Sequence, residues 1–449
     1  MCITQLGSDP LYERKSIEWR TDVLAAHKAI LHAKYPLLPR YSSLTVATPV
    51  YRLSPADILN TMSKLEAILA LSIPEKTHVI FFFVVDNPDE LDAVAECPAA
   101  DCDASGRHFT PRQRLVALEK ATPALRVRVN ANNVGASASR TRAWNECHTN
   151  HILFLDDDVD VESDLLVNYV DRIQQHPEAA GFVGLSSLPY SPLLGPAAVH
   201  FAQTSYFWHA ATNFTASVPW GVTANICFRF VPGIEFDVDF PKTGGGEDID
   251  FCIRLREQCG GAPLLPAPRA QVTHPWWGGG ATQVLARRHY CWALGDGILL
   301  SKHPRYTFWS FPNASELLAA LVLTLPVLTT PMVVLLLLLR IMGVMCLSDT
   351  LATVAYVYYN YDEQFDELFV RYPRSRALFP IVMSGFVRRA SELGQLVTKI
   401  RRHEFFSVCR RFDWFTGLNA DSIFFQRHRD ALHFLLNVSA IVLAMATAY

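Results

Sequence analysis

The sequence predicts an α/β domain followed by membrane-associated helices. Two apolar runs, Thr77–Val85 and His151–Leu155, have the length and the β-branched and aromatic content of buried strands, and an aspartate follows each. A third observation is the stretch Leu317–Leu339, which holds 23 residues without a charge. At 1.5 Å per helical residue, such a stretch crosses a bilayer core of about 30 Å. The chain therefore combines a predicted sheet domain with at least one predicted membrane span.

The order of the predicted elements favours a doubly wound sheet, in which strands and helices alternate. Ser43–Tyr51 is the first predicted strand and is rich in β-branched residues. Thr77–Val85 is too uniformly apolar to alternate, which is typical of a strand buried on both faces. The other predicted elements are a helix over Arg112–Lys120, a strand over Leu125–Val129, a helix over Ser163–Gln175 and a strand over Gly181–Leu185.

The composition favours membrane association and disfavours a nucleic-acid partner. Charged residues make up 18% of the 449 residues, below the roughly 25% of soluble proteins. The net charge of −3 provides no basic field for a nucleic acid. The ten cysteines form no C-x-x-C pair, so we interpret them as reduced thiols of a cytosol-facing domain.

Three consecutive aspartates, Asp156–Asp158, lie at a predicted strand end, where α/β sheets place ligands. Adjacent carboxylates repel one another unless water or a cation compensates them. Asp156 and Asp158 share one face of an extended segment, so both can ligate a divalent cation that holds a diphosphate. A solvated acidic turn is the alternative. The upstream turn at Asn133–Gly135 and the guanidinium of Arg140 favour the ligand site, because we expect both on the same side as the acids.

A second acidic motif lies further along the chain. The glycines of Gly244–Gly246 let the backbone approach a ligand closely, and Glu247, Asp248 and Asp250 follow at a predicted helix start. Acids in a first helical turn also stabilise the helix dipole, which is the alternative explanation. Downstream, His274 ends another apolar segment and is either a metal ligand or a turn residue before proline.

The two motifs, in this order, resemble those of glycosyltransferase family 2 proteins with the GT-A fold, a Rossmann-like mixed-sheet fold of nucleotide-diphospho-sugar transferases. The family pattern N-x-G-x-x-x-A-R-N followed by D-x-D is similar to Asn133–Thr141 and Asp156–Asp158, with Ser139-Arg140-Thr141 in place of Ala-Arg-Asn. The family element G-E-D-x-D-F is similar to Gly246–Phe251. The resemblance covers residues 43–300. It implies a metal-dependent, inverting transfer of a sugar from a nucleotide-diphosphate sugar to an acceptor hydroxyl.

The resemblance also implies a role for each candidate residue. The cofactor would be Mn²⁺ or Mg²⁺, and Asp248 would be the base that takes the proton of the acceptor hydroxyl. Glu247 would orient the acceptor, and Asp250 is the second choice of base. Asp86 matches an acid that contacts the nucleotide, although an Asx turn explains it equally well. The implied donor-binding residues are Pro49, Asp86, Arg140, Asp156 and Asp157, and the implied metal ligands are Asp156, Asp158 and His274.

Two other functions stay open. Processive polysaccharide synthases of this group carry Q-x-x-R-W, whereas Gln283–Trp292 holds these residue types at another spacing, which favours a single transfer. A non-catalytic membrane scaffold with a degenerate GT-A fold is the other alternative. The presence of Asp158 and Asp248 disfavours it, and turnover of a nucleotide sugar would discriminate the two.

The C-terminal part of the chain is predicted to lie in or on a membrane. Ile341–Tyr359 is a second apolar stretch. Because Asp349 in its middle is costly in lipid, we expect the stretch either to pair within a bundle or to lie at the membrane interface. Residues 361–430 are basic and amphipathic, which is typical of a cytoplasmic membrane face. We expect an integral membrane protein with a cytosol-facing catalytic domain. Its partners would be the sugar donor, membrane lipid and a lipid-linked, glycan or protein acceptor.

The predicted domains are a helical extension over residues 1–42, a GT-A-like catalytic domain over 43–300, a transmembrane helix or hairpin over 316–360, a basic amphipathic helical segment over 361–430 and a hydrophobic segment over 431–449.

Overall fold

The computed structural model describes residues 42–92, 110–328, 331–359 and 368–446. The predicted N-terminal helical extension lies outside the described residues, apart from Ser42. The chain divides into two compact units. The first comprises Met1–Pro189 and Phe207–Pro275, and the second comprises Tyr190–Tyr206 and Trp276–Tyr449. The domain boundaries drawn from the sequence stay predictions.

The first unit is built on an eight-stranded sheet. Its strands are β1 (Ser42–Val50), β2 (Thr77–Val85), β3 (Leu125–Val129), β4 (His151–Leu155), β5 (Asp160–Val161), β6 (Gly181–Ser187), β7 (Asn225–Arg229) and β8 (Leu264–Thr273). They lie in the order β3-β2-β1-β4-β7-β6-β8-β5. The first four in that order are parallel, whereas β7 is antiparallel to both of its neighbours. The predicted α/β class with a mixed sheet is therefore confirmed.

Local sequence pattern accounts well for the parallel half of the sheet. The strands β2, β3 and β4 have the predicted bounds, and all five residues of β4 are buried. β1 ends at Val50, one residue earlier than predicted. The reason is that the backbone N–H of Tyr51 donates to the Asp157 carboxylate at 2.8 Å instead of continuing the strand.

Helices flank this sheet in the chain order that the sequence predicts. The helices of the first unit are Ile58–Leu69, Pro111–Ala121, Ala136–Asn145, Leu165–Gln175, Ala210–Asn213 and Glu247–Gln258. The helix at Pro111 starts at a capping box, in which the Thr110 hydroxyl accepts from the backbone of Gln113 and the Gln113 side chain accepts from the backbone of Thr110.

Aromatic packing anchors the helix that carries the second acidic motif. Phe251 stacks on Phe236 with ring centroids 4.0 Å apart, and it meets Trp144 edge-on at 5.0 Å. Phe251 and Trp144 are fully buried. Since truncating a buried aromatic side chain typically costs about 3–5 kcal/mol, this cluster holds the start of the helix firmly on the sheet domain.

The second unit is mainly helical. Its helices are Leu194–Phe201, Thr282–Lys302, Ala314–Leu328, Pro331–Tyr359, Arg374–Arg401 and Ala420–Ala446, and a two-stranded antiparallel ribbon pairs β9 (Thr307–Trp309) with β10 (Arg410–Phe412). At its centre the Glu316 carboxylate is buried between Lys399 and Arg411, at 3.0 Å and 2.7 Å. Burying a single carboxylate would be costly, so the two cations are needed to hold it there.

The apolar segments differ in detail from the predicted ones. In place of one helix over Leu317–Leu339, the chain forms Ala314–Leu328 and then a new helix from Pro331. Proline lacks the N–H that a helix interior requires but suits a first helical position. The C-terminal helix begins at Ala420, well before the predicted tail at residue 431.

Two of these helices are long and apolar enough to cross a membrane. They are Met332–Val357 and Asp421–Ala446, and only 19% and 17% of their apolar windows is buried. That exposure distinguishes them from the core helices of a soluble protein. Length and composition are nevertheless weak evidence for a membrane span.

Candidate active site

The acidic triplet lies at the carboxyl end of β4, beside the carboxyl end of its parallel neighbour β1. Asp157 joins the two ends, because one of its oxygens accepts from the backbone N–H groups of Tyr51 and Arg52, at 2.8 and 3.0 Å. Asp157 is 2% exposed. Of the three aspartates it is therefore the one most engaged in holding the sheet edge together.

Arg52 is a site residue that the sequence reasoning missed. Its guanidinium contacts the other oxygen of Asp157 and lies 2.8 Å from Oδ2 of Asp158. These carboxylates hold the pKa of Arg52 above its usual range, against the effect of burial. The available signal was an arginine directly after a strand end on the same sheet edge as the acids.

Asp156, Asp158 and His274 form a cluster that could hold a metal ion. One ligand atom from each lies within 4.8 Å of the other two. His274 follows the end of β8, and its Nε2 atom is 3.4 Å from Oδ1 of Asp158. The ring of Trp208 meets the imidazole edge-on, with centroids 5.0 Å apart. Tertiary structure thus brings together residues that are far apart in the sequence.

The imidazole of His274 is oriented for ligation. Its Nδ1 atom is 2.6 Å from the carbonyl oxygen of Pro275. Since a carbonyl only accepts hydrogen bonds, Nδ1 carries the proton, and Nε2 presents a lone pair toward Asp158. A backbone carbonyl that fixes the tautomer in this way is common among metal-ligating histidines.

The donor set fits a divalent cation. Oδ1 of Asp158 is buried, and no described residue donates a hydrogen bond to it. A buried carboxylate oxygen facing the lone pair of a neutral imidazole is an unfavourable pairing unless a cation lies between them. Two carboxylates and one imidazole are ligands that Mn²⁺ accepts, and Mg²⁺ also takes carboxylate oxygens.

Burial and neighbouring charges act on these acids in opposite directions. Burial raises the pKa of Asp158 to about 6, although the guanidinium of Arg52 counteracts it. Burial also acts on Asp156, but there the guanidinium groups of Arg140 and Arg52 help to lower the pKa of the carboxyl. The pKa values of these two neighbouring carboxyl groups at the end of β4 are therefore shifted in opposite directions.

Arg140 connects the two acidic motifs. Its Nη1 atom donates to Oε1 of Glu247 at 3.0 Å, and its Nη2 atom donates to Oδ1 of Asp156 at 3.3 Å. Arg140 and Glu247 are both buried. One guanidinium thus places the end of β4 and the start of the helix Glu247–Gln258 around a common centre, which makes a single site of two distant sequence motifs.

The glycine run before this helix permits a conformation that other residues adopt poorly. Gly244, Gly245 and Gly246 have φ angles of +85°, +119° and +85°. The tight turn lets the N–H of Gly245 donate to Oε2 of Glu247 at 2.6 Å. Glu247 therefore has a partner on each carboxylate oxygen, and its negative charge is held beside Asp248.

Of the three acids of this motif, Asp248 has the carboxylate with the fewest hydrogen bonds to described residues. Its Oδ1 atom accepts from the backbone N–H of Ile249 at 2.8 Å. Burial, together with the charge of Glu247, raises the pKa of Asp248 well above its usual range. By contrast, Asp250 is fully buried and accepts from Arg254 at 2.6 Å. The geometry favours Asp248 over Asp250 as a proton acceptor, and the roles of both stay predictions.

Asp86 stabilises the loop that precedes Arg140. Its two oxygens accept from the side chain of Asn130 at 2.8 Å and from the backbone N–H groups of Val134 and Gly135 at 3.0 and 2.8 Å. Pro49 pairs in register with Val84 near the end of β1. These contacts agree with a turn-stabilising role for Asp86, and its predicted nucleotide contact stays a prediction.

No family model and no curated protein matches the chain. Among solved structures, the mannosyltransferase PcManGT from Pyrobaculum calidifontis, in complex with GDP-Man and Mn²⁺, is 14% identical with a TM-score of 0.40, over 64% of this chain and 76% of its own. TarS 1-349 from S. aureus in complex with UDP-GlcNAc is 12% identical with a TM-score of 0.36, over 58% of this chain and 73% of its own. Similarity at this level carries no argument about activity, so the functional case rests on the geometry of the site.

Proposed function

We propose that the chain is a membrane-bound, metal-dependent, inverting glycosyltransferase of GT-A type. It would move one sugar from a nucleotide-diphosphate sugar to an acceptor hydroxyl. The observation that carries the proposal is the bridge formed by Arg140, which places a candidate metal cluster and a buried carboxylate motif around one centre. A transferase needs these two parts together, because the leaving group and the acceptor react at the same carbon.

Asp156, Asp158 and His274 would hold Mn²⁺ or Mg²⁺. When bound, the ion would supply positive charge for the diphosphate that leaves. Arg140 would add a fixed cation next to Asp156, and Asp157 would keep the sheet edge in place. Fixed charges of this kind need no reorganisation during the reaction, which is why they stabilise a transition state effectively.

Asp248 would act as the general base. In the transfer, the acceptor oxygen forms a bond to the anomeric carbon while the bond from that carbon to the diphosphate oxygen breaks. The acceptor proton moves to the carboxylate of Asp248, and the nucleoside diphosphate leaves with the electron pair. The raised pKa of Asp248 suits a base that works near neutral pH. Attack opposite to the leaving group inverts the configuration.

Donor recognition would involve the edge formed by β1, β2 and the loop before Arg140. Pro49 and Asp86 border this edge, and we propose that they contact the nucleotide. The acceptor would be lipid-linked, a glycan or a protein. The helices Met332–Val357 and Asp421–Ala446 support the proposed membrane attachment by length, apolar character and exposure. A cytosol-facing site belongs to the same proposal.

Release of nucleoside diphosphate tests the proposal directly. Detergent-solubilised full-length protein is incubated with a panel of nucleotide sugars, with and without Mn²⁺, and the free diphosphate is measured. We expect Mn²⁺-dependent release from one donor and its loss in Asp158→Asn. Asp160→Asn is the matched control, because Asp160 is an exposed aspartate near the same motif, paired with Lys64.

Hydrolysis of the nucleotide sugar by water involves no acceptor hydroxyl and therefore does not test the proposed base. Asp248→Asn is for this reason assayed with acceptor present. Equal activity in Asp158→Asn and in the control would contradict the assigned site. An absence of both turnover and metal-dependent donor binding across the panel would contradict the proposed activity itself.

A further inference from the structure

The helix Arg374–Arg401 presents an apolar stripe along most of its length. Four large side chains of this stripe recur at intervals of seven residues and are between 47% and 64% exposed: Phe379, Phe386, Leu393 and Ile400. Three smaller, partly exposed residues lie between them at helical spacing: Val382, Ala390 and Val397. Residues three, four and seven apart share one face of a helix, so these seven side chains form one continuous surface.

The opposite face of this helix is packed closely on the helix Thr282–Lys302. A Cβ added at Gly394 would lie 2.4 Å from the carbonyl oxygen of Tyr290. The hydroxyl of Thr398 donates to the carbonyl oxygen of Leu294 at 2.8 Å. Contacts this close to the backbone leave the helix no freedom to rotate, and they hold the apolar stripe on its outward side.

Near its start, the helix contacts the end of the candidate span Met332–Val357. Ile381 packs with Val357 in one buried apolar cluster. The guanidinium of Arg388 donates to the hydroxyl of Thr353. Both contacts lie in the last two turns of the span.

Near its end, the helix contacts the first turn of another apolar helix, Ala314–Leu328. The Nζ atom of Lys399 donates to Oε1 of Glu316 at 3.0 Å, and both side chains are buried. Lys399 lies eleven residues beyond Arg388, which corresponds to about 16 Å along a helix. The helix Arg374–Arg401 therefore runs across the end of one apolar helix and the start of the other.

Basic residues accompany the apolar stripe. The helix has six basic residues and one acidic residue, and Arg374, Arg376 and Arg401 near its two ends are exposed. Beyond its end, the rings of Phe405 and Phe406 are 59% and 93% exposed. Apolar side chains flanked by basic ones are typical of a helix in the membrane interface, where anionic headgroups meet hydrocarbon. A second copy of this helix fits the stripe less well, because it would bring two basic surfaces together.

We propose that the apolar stripe lies in the headgroup region of a membrane leaflet that contains anionic phospholipid. The helix axis would lie along the membrane surface, with the apolar side chains toward the hydrocarbon and the arginines near the headgroup phosphates. This inference rests on the membrane attachment in the proposed function, and it adds the surface through which the second unit meets the leaflet. Its test measures contact with lipid and requires no sugar transfer.

Photo-crosslinking from single positions tests the proposal. The photoreactive residue p-benzoylphenylalanine replaces Phe379 or Phe386 in the full-length protein, which is a conservative change at an exposed ring. The protein is reconstituted into vesicles of phosphatidylcholine and phosphatidylglycerol, irradiated and analysed by mass spectrometry. We expect both positions to attach phospholipid. Phosphatidylglycerol should be enriched about fivefold over its share of the vesicle mixture, as expected for an arginine near the headgroups.

Two control positions receive the same photoreactive residue. Leu336 is 60% exposed on the candidate span and should attach phospholipid independently of the stripe. Val238 is 63% exposed in the first unit and measures the background from collisions with vesicles. Attachment at Phe379 and Phe386 should exceed that background.

Removal of charge tests the contribution of the arginines. Arg376→Gln together with Arg401→Gln should bring the enrichment of phosphatidylglycerol at Phe386 close to its share of the mixture. Lys76→Gln together with Arg269→Gln is the matched control, because it removes the same charge from exposed positions of the first unit. The control pair should leave the enrichment unchanged.

Four results would overturn the proposal. Attachment of lipid at Leu336 but not at Phe379 or Phe386 would remove the stripe from the membrane and leave the membrane attachment in place. Attachment at none of these positions would overturn both. Crosslinks from the stripe to a second copy of the chain would identify that copy as its partner. Attached lipids in the proportions of the vesicle mixture would overturn the assignment to anionic phospholipid.

Discussion

The guanidinium of Arg52 lies 2.8 Å from Oδ2 of Asp158, a carboxylate that is also a candidate metal ligand. The arginine thus provides a built-in counter-ion for the acidic cluster, and it would compete with a divalent cation for this oxygen. Hydrogen bonds to charged groups contribute about 1.5–3 kcal/mol, so the competition is large enough to measure.

Arg52→Gln is therefore expected to bind Mn²⁺ about tenfold more tightly, a difference of ~1.4 kcal/mol. The substitution removes the competing charge and leaves Oδ2 of Asp158 to the metal. Mn²⁺ binding is measured by electron paramagnetic resonance of the free ion, without any substrate. Lys64→Gln is the control, because it removes a nearby cation that pairs with Asp160 outside the cluster. Weaker Mn²⁺ binding in Arg52→Gln would mean that Arg52 mainly positions the aspartates.

Arg140→Lys tests the bridge between the two acidic motifs. Lysine keeps the charge but cannot donate from two fixed nitrogens to Glu247 and Asp156 at once. We expect kcat/KM for the transfer to fall about 10- to 100-fold, which corresponds to the loss of one charged hydrogen bond. Arg112→Lys is the control, since Arg112 forms an exposed ion pair with Asp92 and should change little. An unchanged kcat/KM in Arg140→Lys would argue against the bridge.

The pH dependence of the reaction tests Asp248 as the base. Only the ionised carboxylate accepts a proton, and burial together with Glu247 raises the pKa of Asp248. The value of kcat/KM should therefore rise with pH, with its acidic limb well above the usual range of aspartate. Replacing Glu247 by Gln removes the neighbouring negative charge and should move this limb to lower pH. The acidic limb of the pH profile is measured from initial rates of nucleoside diphosphate release. If Glu247→Gln leaves this limb in place, the limb reports the titration of a group other than Asp248.

Gly135→Ala should destabilise the first unit. Gly135 has a φ of +92°, and an added Cβ would approach the Cα of Lys242 to 2.9 Å. The N–H of Gly135 also donates to Asp86, so the loop cannot easily move away. Backbone strain of this kind costs about 1–3 kcal/mol, and overpacking adds to it.

Gly260→Ala separates the effect of backbone strain on stability from the effect of overpacking. Gly260 also has a positive φ of +66°, but an added Cβ would meet no atom within 4 Å. The urea midpoint of Gly260→Ala should fall because of backbone strain alone, and the urea midpoint of Gly135→Ala should fall further. Equal midpoints for the two variants would show that the contact with Lys242 relaxes without cost.

Local sequence pattern was sufficient for the strands that carry the site. β2, β3 and β4 have their predicted bounds, because long apolar runs bounded by polar residues have few alternatives to a buried strand. The position of Asp156 at a strand end follows from the same pattern, whereas the mixed sheet was implied by the resemblance to the GT-A fold. The roles of the candidate residues stay predictions, although Asp156, Asp158 and His274 do lie together.

Tertiary structure decided which partner each charged group has. The bridge formed by Arg140 and the ion pair of Arg52 with Asp158 depend on distances between separate elements. A linear sequence specifies periodicity and strand ends, since these depend on neighbouring residues. It does not specify which of several nearby acids a guanidinium contacts, because a difference of a few ångströms between packed elements decides that choice.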